Sequence, residues 1–324
     1  MNQPRDSAGD APHELSLEQT PNAAIGATDR VETAASVGIL LAPALIDDPF
    51  GGPPVAVVDI GANPLDDEVP YQLLLDAGLA GITGFEPQAD ALAELHRRAG
   101  PFERYLPYAV GDGEPHTLRL CATSGFASLL EPDEAQLALL VDFPRLAAVV
   151  DRQPIDTRRL DDIAEIDRID LLKIDIQGGE LAVLRAGRTA LAGAVAVQTE
   201  VGFHRLYRDQ PTFAEVDLEL RDQGFVPHRF VTTRTWPLAP VPWADPLQQA
   251  SRQLVEADLL YVRDPVHPEL MTDAQIARLA LVADVGYGSF GLALRCVLEL
   301  ITRGVLDDDD EDAYRALAAA RLPG

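Results

Sequence analysis

Leu171-Leu172-Lys173-Ile174-Asp175-Ile176-Gln177-Gly178-Gly179-Glu180 reads as a buried strand that breaks into a tight turn and then starts a helix. Lys173 interrupts an apolar run otherwise typical of a strand covered on both faces. Asp175 sits where such a strand delivers its carboxyl end. Gly178 and Gly179 permit a sharp reversal, and Glu180 falls in the first helical turn, where the helix dipole favours an anion. Open α/β sheets bind ligands at the carboxyl ends of their strands, so Asp175 is placed for chemistry. The structural alternative is that Asp175 and Glu180 only cap and charge a helix start. Strand alternation, which puts residues 173 and 175 on one face, adds a buried Lys173–Asp175 pair to that alternative.

Working outward, Val55-Ala56-Val57-Val58-Asp59-Ile60-Gly61-Ala62-Asn63 is a β-branched strand running into a glycine turn, and Gly81-Ile82-Thr83-Gly84-Phe85-Glu86 is a second strand ending on an acid. Tyr105 to Val110 reads as a third strand, Thr117 to Ala122 as another, and Glu134 to Val150 as helix, with Pro144 a place for a break. The opening stretch supplies the fourth parallel strand, and Ala194 to Glu200 a fifth that again ends on an acid. Phe213, Val216 and Leu220 stand at helical spacing, and Phe225–Thr232 and Leu259–Val262 read as closing strands. Thr272 and Gln275 form a capping box ahead of a helix over Ile276–Ile301. This alternation predicts a doubly wound α/β sheet. The expected divisions are a disordered tail over 1–36, a main domain over 37–265 and a C-terminal helical extension over 266–324.

Composition removes several classes. With 52 acidic against 26 basic residues the formal charge is −26, which opposes a nucleic-acid partner because counterion release needs clustered cations. Lys173 is the only lysine, so neither a Gly-Lys-Ser/Thr phosphate loop nor a Tyr-x-x-x-Lys dehydrogenase pair exists. Cys121 and Cys296 are isolated, which indicates neither a disulfide framework nor a zinc site. No apolar run approaches the roughly 20 residues of a membrane span. The expectation is a cytoplasmic protein acting on a small molecule, with no membrane or nucleic-acid partner.

In a doubly wound sheet the first strand–helix turn, here Asp59-Ile60-Gly61-Ala62-Asn63, holds a nucleoside ligand, and Glu86 at the end of the second strand can accept from both ribose hydroxyls. At this point the residues resemble the FkbM-type family of S-adenosylmethionine-dependent methyltransferases. The likeness is carried by Val58–Asn63, Gly84-Phe85-Glu86-Pro87, Ala109-Val110-Gly111-Asp112, Leu172–Glu180 and Gln198–Phe203, in that order, and continues through Leu206–Phe213 and Gly224-Phe225. It implies a class I methyltransferase (Rossmann-like) fold, a mostly parallel seven-stranded sheet with only the last strand antiparallel. It implies S-adenosylmethionine as cofactor, with Asp59, Gly61 and Asn63 near its methionine part, Glu86 on the ribose, and Ala109 to Asp112, including Val110, near the adenine. One departure stands out: members carry a second glycine two residues after the Asn, whereas Pro64 and Leu65 follow Asn63 here.

Methyl transfer from a sulfonium needs in-line alignment and an unprotonated nucleophile. An alcohol acceptor benefits from a general base near neutral pKa, and Asp175, Glu200 and His204 are the candidates. Asp175 and Glu200 alone are too few ligands for a metal site. Trp236, Trp243, Ser124 and Ser128 are weaker candidates for the acceptor pocket. The expected activity is O-methylation of a hydroxyl on a small metabolite or sugar, with an oligomer formed through the C-terminal helices as a possible assembly. The rival reading, motivated by Leu65, is a non-catalytic binding module with a degenerate cofactor site.

Overall fold

The structure, a computed structural model, describes residues 27–46, 52–62, 69–242, 245–247 and 252–322. Its strands are β1 (Val55–Ile60), β2 (Ala80–Phe85), β3 (Glu103–Leu106), β4 (Ala109–Gly111), β5 (Pro115–Cys121), β6 (Val149–Arg159), β7 (Leu171–Ile174), β8 (Ala196–Gly202), β9 (Phe225–Trp236) and β10 (Gln253–Arg263). Seven of them form one sheet in the order β3-β2-β1-β7-β8-β10-β9. Neighbours from β3 through β8 pair in parallel, and β10 is antiparallel to both β8 and β9, so β10 alone is reversed. That order and the single reversed strand are those of the class I methyltransferase fold.

Alternation along the strands sends side chains to two cores. Val55, Val57, Leu171, Ala196 and Leu260 face one layer, made by α1 (Ala27–Leu41), α2 (Gln72–Asp76) and the C-terminal helices. Val58, Ile60, Leu172, Ile174 and Val197 face the other, where α6 (Glu180–Ala186) and α7 (Phe213–Asp222) pack; α3 (Ala89–Arg98) links β2 to β3. A third, smaller core joins α4 (Glu134–Leu137) and α5 (Phe143–Leu146) to Leu206, Tyr207 and Val255. With a three-stranded sheet in the order β4-β6-β5, this builds a cap from residues 109–159 over the carboxyl edge of the main sheet.

Several sequence expectations change. The strand expected over Tyr105–Val110 is two: β3 joins the main sheet and β4 pairs with β6, with Pro107 between them. The helix expected over Glu134–Val150 is two short turns of helix followed by β6, because Leu137, Leu140, Phe143 and Ala147 share a buried cluster without continuous helix between them. The tail boundary also moves. α1 begins at Ala27, and Ala34, Val37 and Leu41 are fully buried on one of its faces; residues 1–26 of the expected tail lie outside the described residues.

The C-terminal helix expected over Ile276–Ile301 is broken. α8 (Asp273–Leu281), capped by Thr272 and Gln275 as expected, runs into a π turn over Val282–Gly286, and α9 (Phe290–Thr302) starts after Gly288, whose φ is +60°. α10 (Asp308–Ala319) follows, with Asp307 as its N-cap. Ile276, Leu279, Val297 and Leu300 lie in the same core as Val57 and Leu171, so these helices are a layer of the main domain. Arg321 closes the layer with paired bonds to buried Asp284. Among the described residues no helix is long and apolar enough to cross a membrane.

Candidate active site

A cavity of about 570 Å³ lies between the carboxyl ends of β1, β2 and β7 and the cap, within the size range of small-ligand sites. The sharp turn after β1 forms one wall. Gly61 has φ +84°, and a Cβ there would stand 2.0 Å from the Asp175 carbonyl oxygen, so only glycine fits. The Gly61 and Ala62 amides donate to the Phe85 carbonyl at 3.1 and 3.2 Å, which fixes this turn against the end of β2.

Glu86 follows directly on β2. Its Oε1 accepts from the Gln88 amide at 2.7 Å, and the Gln88 side chain also bears on the carboxylate. Burial pushes its pKa up to about 6, which leaves it mostly ionised at neutral pH and able to accept from a diol. Tyr108, Ala109 and Val110 continue the wall, with the Tyr108 ring stacked near Phe85 and covered by the Arg158 guanidinium.

At the end of β7 the chain reverses through Gln177 (φ +56°) and Gly178 (φ +100°). Glu180 holds this turn, its carboxylate accepting from the Ile176 and Gly178 amides at 2.9 and 3.1 Å. Asp175 thereby faces the cavity, and its Oδ1 accepts from the Gln177 side-chain amide at 3.0 Å. The Lys173–Asp175 pair suggested by strand alternation does not form. Asp175 lies past the last residue of β7, and the Lys173 ammonium is 3.3 Å from buried Asp59, which also accepts from Tyr71.

The far side comes from the β9–β10 hairpin and β8. Arg234 donates to Glu200 and to Glu256, both at 3.2 Å, and lies 3.8 Å from Asp258. The Gln177 amide also reaches Glu200, at 3.1 Å. Burial, and then Asp175, drive the Glu200 pKa well up. Burial lifts Glu256 to about 7 against the opposing pull of Arg234, and burial lifts Glu180 to about 7.

Of the residues singled out from the sequence, Gly61, Glu86, Val110 and Asp175 line the cavity together, as do Ser124, Ser128 and Trp236. Glu200 touches the lining only through Gln177 and Arg234. Asp59 lies behind the wall, locked to Lys173 and Tyr71. Asp112 points away, bonded to His116 at 2.8 Å and to the Glu114 amide at 3.0 Å. His204 is not in the lining either. Its amide and that of Phe203 both donate to the Val255 carbonyl, and its ring turns outward to the Gln136 carbonyl at 3.3 Å. Asn63, Pro64, Leu65 and Trp243 lie outside the described residues.

Sequence reasoning missed Arg234, Glu256, Phe126 and Phe143, all in the lining. Thr233-Arg234-Thr235-Trp236 carries the one available signal, an arginine and an aromatic two apart on a strand end. The carboxylates of Asp175, Glu180 and Glu200 come within 4.8 Å of one another, close enough for a divalent cation. Glu180, however, is occupied by two backbone amides, and Glu200 by the Arg234 guanidinium.

The profile of the methyltransferase FkbM domain matches residues 59–227, a span running from the β1 turn to the start of β9. The chain belongs to the FkbM methyltransferase family. The FkbM domain so defined contains the wall from Gly61 to Val110, the Asp175 turn and the cap, while Arg234, Trp236 and Glu256 come from the hairpin beyond it. Solved structures similar to this FkbM protein include magnesium protoporphyrin IX methyltransferase from Synechocystis PCC 6803 with bound SAM, at 15% identity over 72% of this chain and 81% of that one, TM-score 0.33. A putative S-adenosylmethionine-dependent methyltransferase from Listeria monocytogenes matches at 10% identity over 72% and 98%, TM-score 0.36. A TehB-like methyltransferase from Corynebacterium glutamicum matches at 13% over 72% and 98%, TM-score 0.31. A search of curated proteins finds no match.

Proposed function

We propose that this S-adenosylmethionine-dependent methyltransferase methylates a hydroxyl oxygen of a small molecule held under the cap. The observation that carries the reading is the meeting, in one cavity, of a cofactor-side carboxylate, Glu86, and a carboxylate pair, Asp175 and Glu256, facing the acceptor side. The residues fit the cofactor in two places: Glu86 suits a ribose diol, and Phe85 and Val110 offer apolar surface to a base.

S-adenosylmethionine, when bound, supplies an electrophilic methyl group on a sulfonium whose departure leaves a neutral thioether. Asp175 orients the acceptor hydroxyl, and Gln177 holds Asp175 by its Oδ1. Glu256, lifted to about 7, is poised to take the hydroxyl proton at neutral pH as the oxygen lone pair forms the new C–O bond. Arg234 keeps Glu200 and Glu256 in place and balances their charge.

The test is transfer from methyl-labelled cofactor to a panel of hydroxylated small molecules. An alkali-stable methyl ether is expected. Label found on nitrogen or carbon, or in an alkali-labile ester, would overturn the O-methyl assignment.

A further inference from the structure

Building on that methyltransferase reading, we infer that the acceptor is an uncharged molecule with a flat apolar ring body and a single hydroxyl at its reacting end, and that sugars and acids are excluded. The acceptor end of the cavity is walled by three rings. Phe126 meets Phe143 edge-on with centroids 5.1 Å apart, and Phe143 tilts against Trp236 at 4.7 Å. The Trp236 indole N–H is already spent on the Val141 carbonyl at 2.7 Å, so this wall turns carbon to the cavity.

Two hydroxyls beside the rings are engaged as well, those of Ser128 and Tyr207, while Thr123 and Ser124 also line the cavity. The Ser128 hydroxyl donates to the Gln177 carbonyl at 2.7 Å and accepts from the Leu130 amide at 3.0 Å. The Tyr207 hydroxyl lies 3.1 Å from the Phe126 carbonyl and 3.2 Å from the Gln177 amide oxygen. A polyol placed here would strand several hydroxyls against carbon, and a site of this kind selects strongly against groups it cannot pair. A ring with offset or edge-on access to Phe126, Phe143 and Trp236 gains from each.

Charge narrows the class further. Arg234 is the only cationic residue in the described lining, and it is already shared among Glu200, Glu256 and Asp258. Glu86, Asp175 and Glu256 line the same space. A carboxylate or phosphate on the acceptor would meet like charge with no spare cation to receive it. Beside Asp175 and Glu256 the lining offers acceptors without a spare cation, and there a lone hydroxyl fits.

The experiment titrates three probes into the full-length protein, with and without S-adenosylhomocysteine: 2-naphthol, 6-hydroxy-2-naphthoate and methyl glucoside. 2-Naphthol should bind, its carboxylate analogue should bind about tenfold or more weakly, and methyl glucoside should show no binding at millimolar concentration. Trp236→Ala should weaken 2-naphthol about tenfold with S-adenosylhomocysteine affinity retained. The isosteric Glu256→Gln, which keeps the packing, should narrow the gap between naphthol and naphthoate. Methyl glucoside or the naphthoate binding as well as 2-naphthol, or no binding of 2-naphthol, would overturn the inference. Because each probe is also read without the nucleoside, failure of S-adenosylhomocysteine to bind would count against the methyltransferase reading alone.

Discussion

Asp175→Asn keeps the size of the side chain and its hydrogen bond from Gln177, and removes only the charge facing the cavity. Turnover should fall on the order of 10²-fold, the cost of a misplaced reacting group, with Tm moving by no more than about 2 °C. A variant that melts many degrees lower yet keeps full turnover per folded molecule would make Asp175 a structural residue. At this scale the sequence was legible where strand and turn grammar are local. A buried run ending on an acid before glycines identifies Asp175, and the same pattern identifies Glu86. Arg234 and Glu256 were not legible, since they enter from antiparallel strands whose register to β8 has no local signature. His204 follows a strand end but is turned outward by its bulge on Val255.

The secondary elements divide by how many sides they bury. β1, β7 and β8 were readable as apolar runs because both of their faces are covered, by two different cores. β6 has no legible strand signal because most of its residues are exposed, Val150 among them, and Pro154 sits within it, while the preceding Leu137, Leu140 and Phe143 imitate helical spacing. The C-terminal helices present the clearest element-scale consequence. α8 and α9 bury Ile276, Leu279, Val297 and Leu300 against the β1–β7 face, and Tyr287 between them reaches Gln198 in β8 at 2.8 Å. Truncation after Pro268 would uncover that face of the sheet, so the shortened protein should aggregate or change its oligomeric state in size-exclusion chromatography. A soluble, active truncation would show the helices to be an appendage.

Across the whole molecule, the buried acids make stability depend on pH. Glu180 and Glu256 keep their protons up to about 7 in the folded protein, whereas the unfolded chain releases them near the ordinary value of 4.5. The folded state thus binds more protons between those values. This contribution is full below about 4.5 and lost as pH rises through about 7. Carboxylates held low, such as Glu131 on Arg119, act at more acid pH. Tm should therefore be several degrees higher at pH 5 than at pH 8. The difference should persist at about 1 M salt, where general repulsion among the −26 charge is screened within ~3 Å. Glu256→Gln should flatten the slope, and a Tm that rises from pH 5 to pH 8 would contradict the buried-acid account.

The central claim is that this cavity holds S-adenosylmethionine with its ribose on Glu86. Calorimetric titration of S-adenosylmethionine into the wild-type protein and into Glu86→Ala tests it most directly. Loss of charge-assisted bonds of about 1.5–3 kcal/mol predicts one-site binding weakened by about one to two orders of magnitude in the variant, with an unchanged Tm for the free protein. Affinity should also drop as pH falls through about 6, where Glu86 takes up its proton. No heat of binding to the wild-type protein at millimolar cofactor, or equal dissociation constants for the two proteins, would contradict the account.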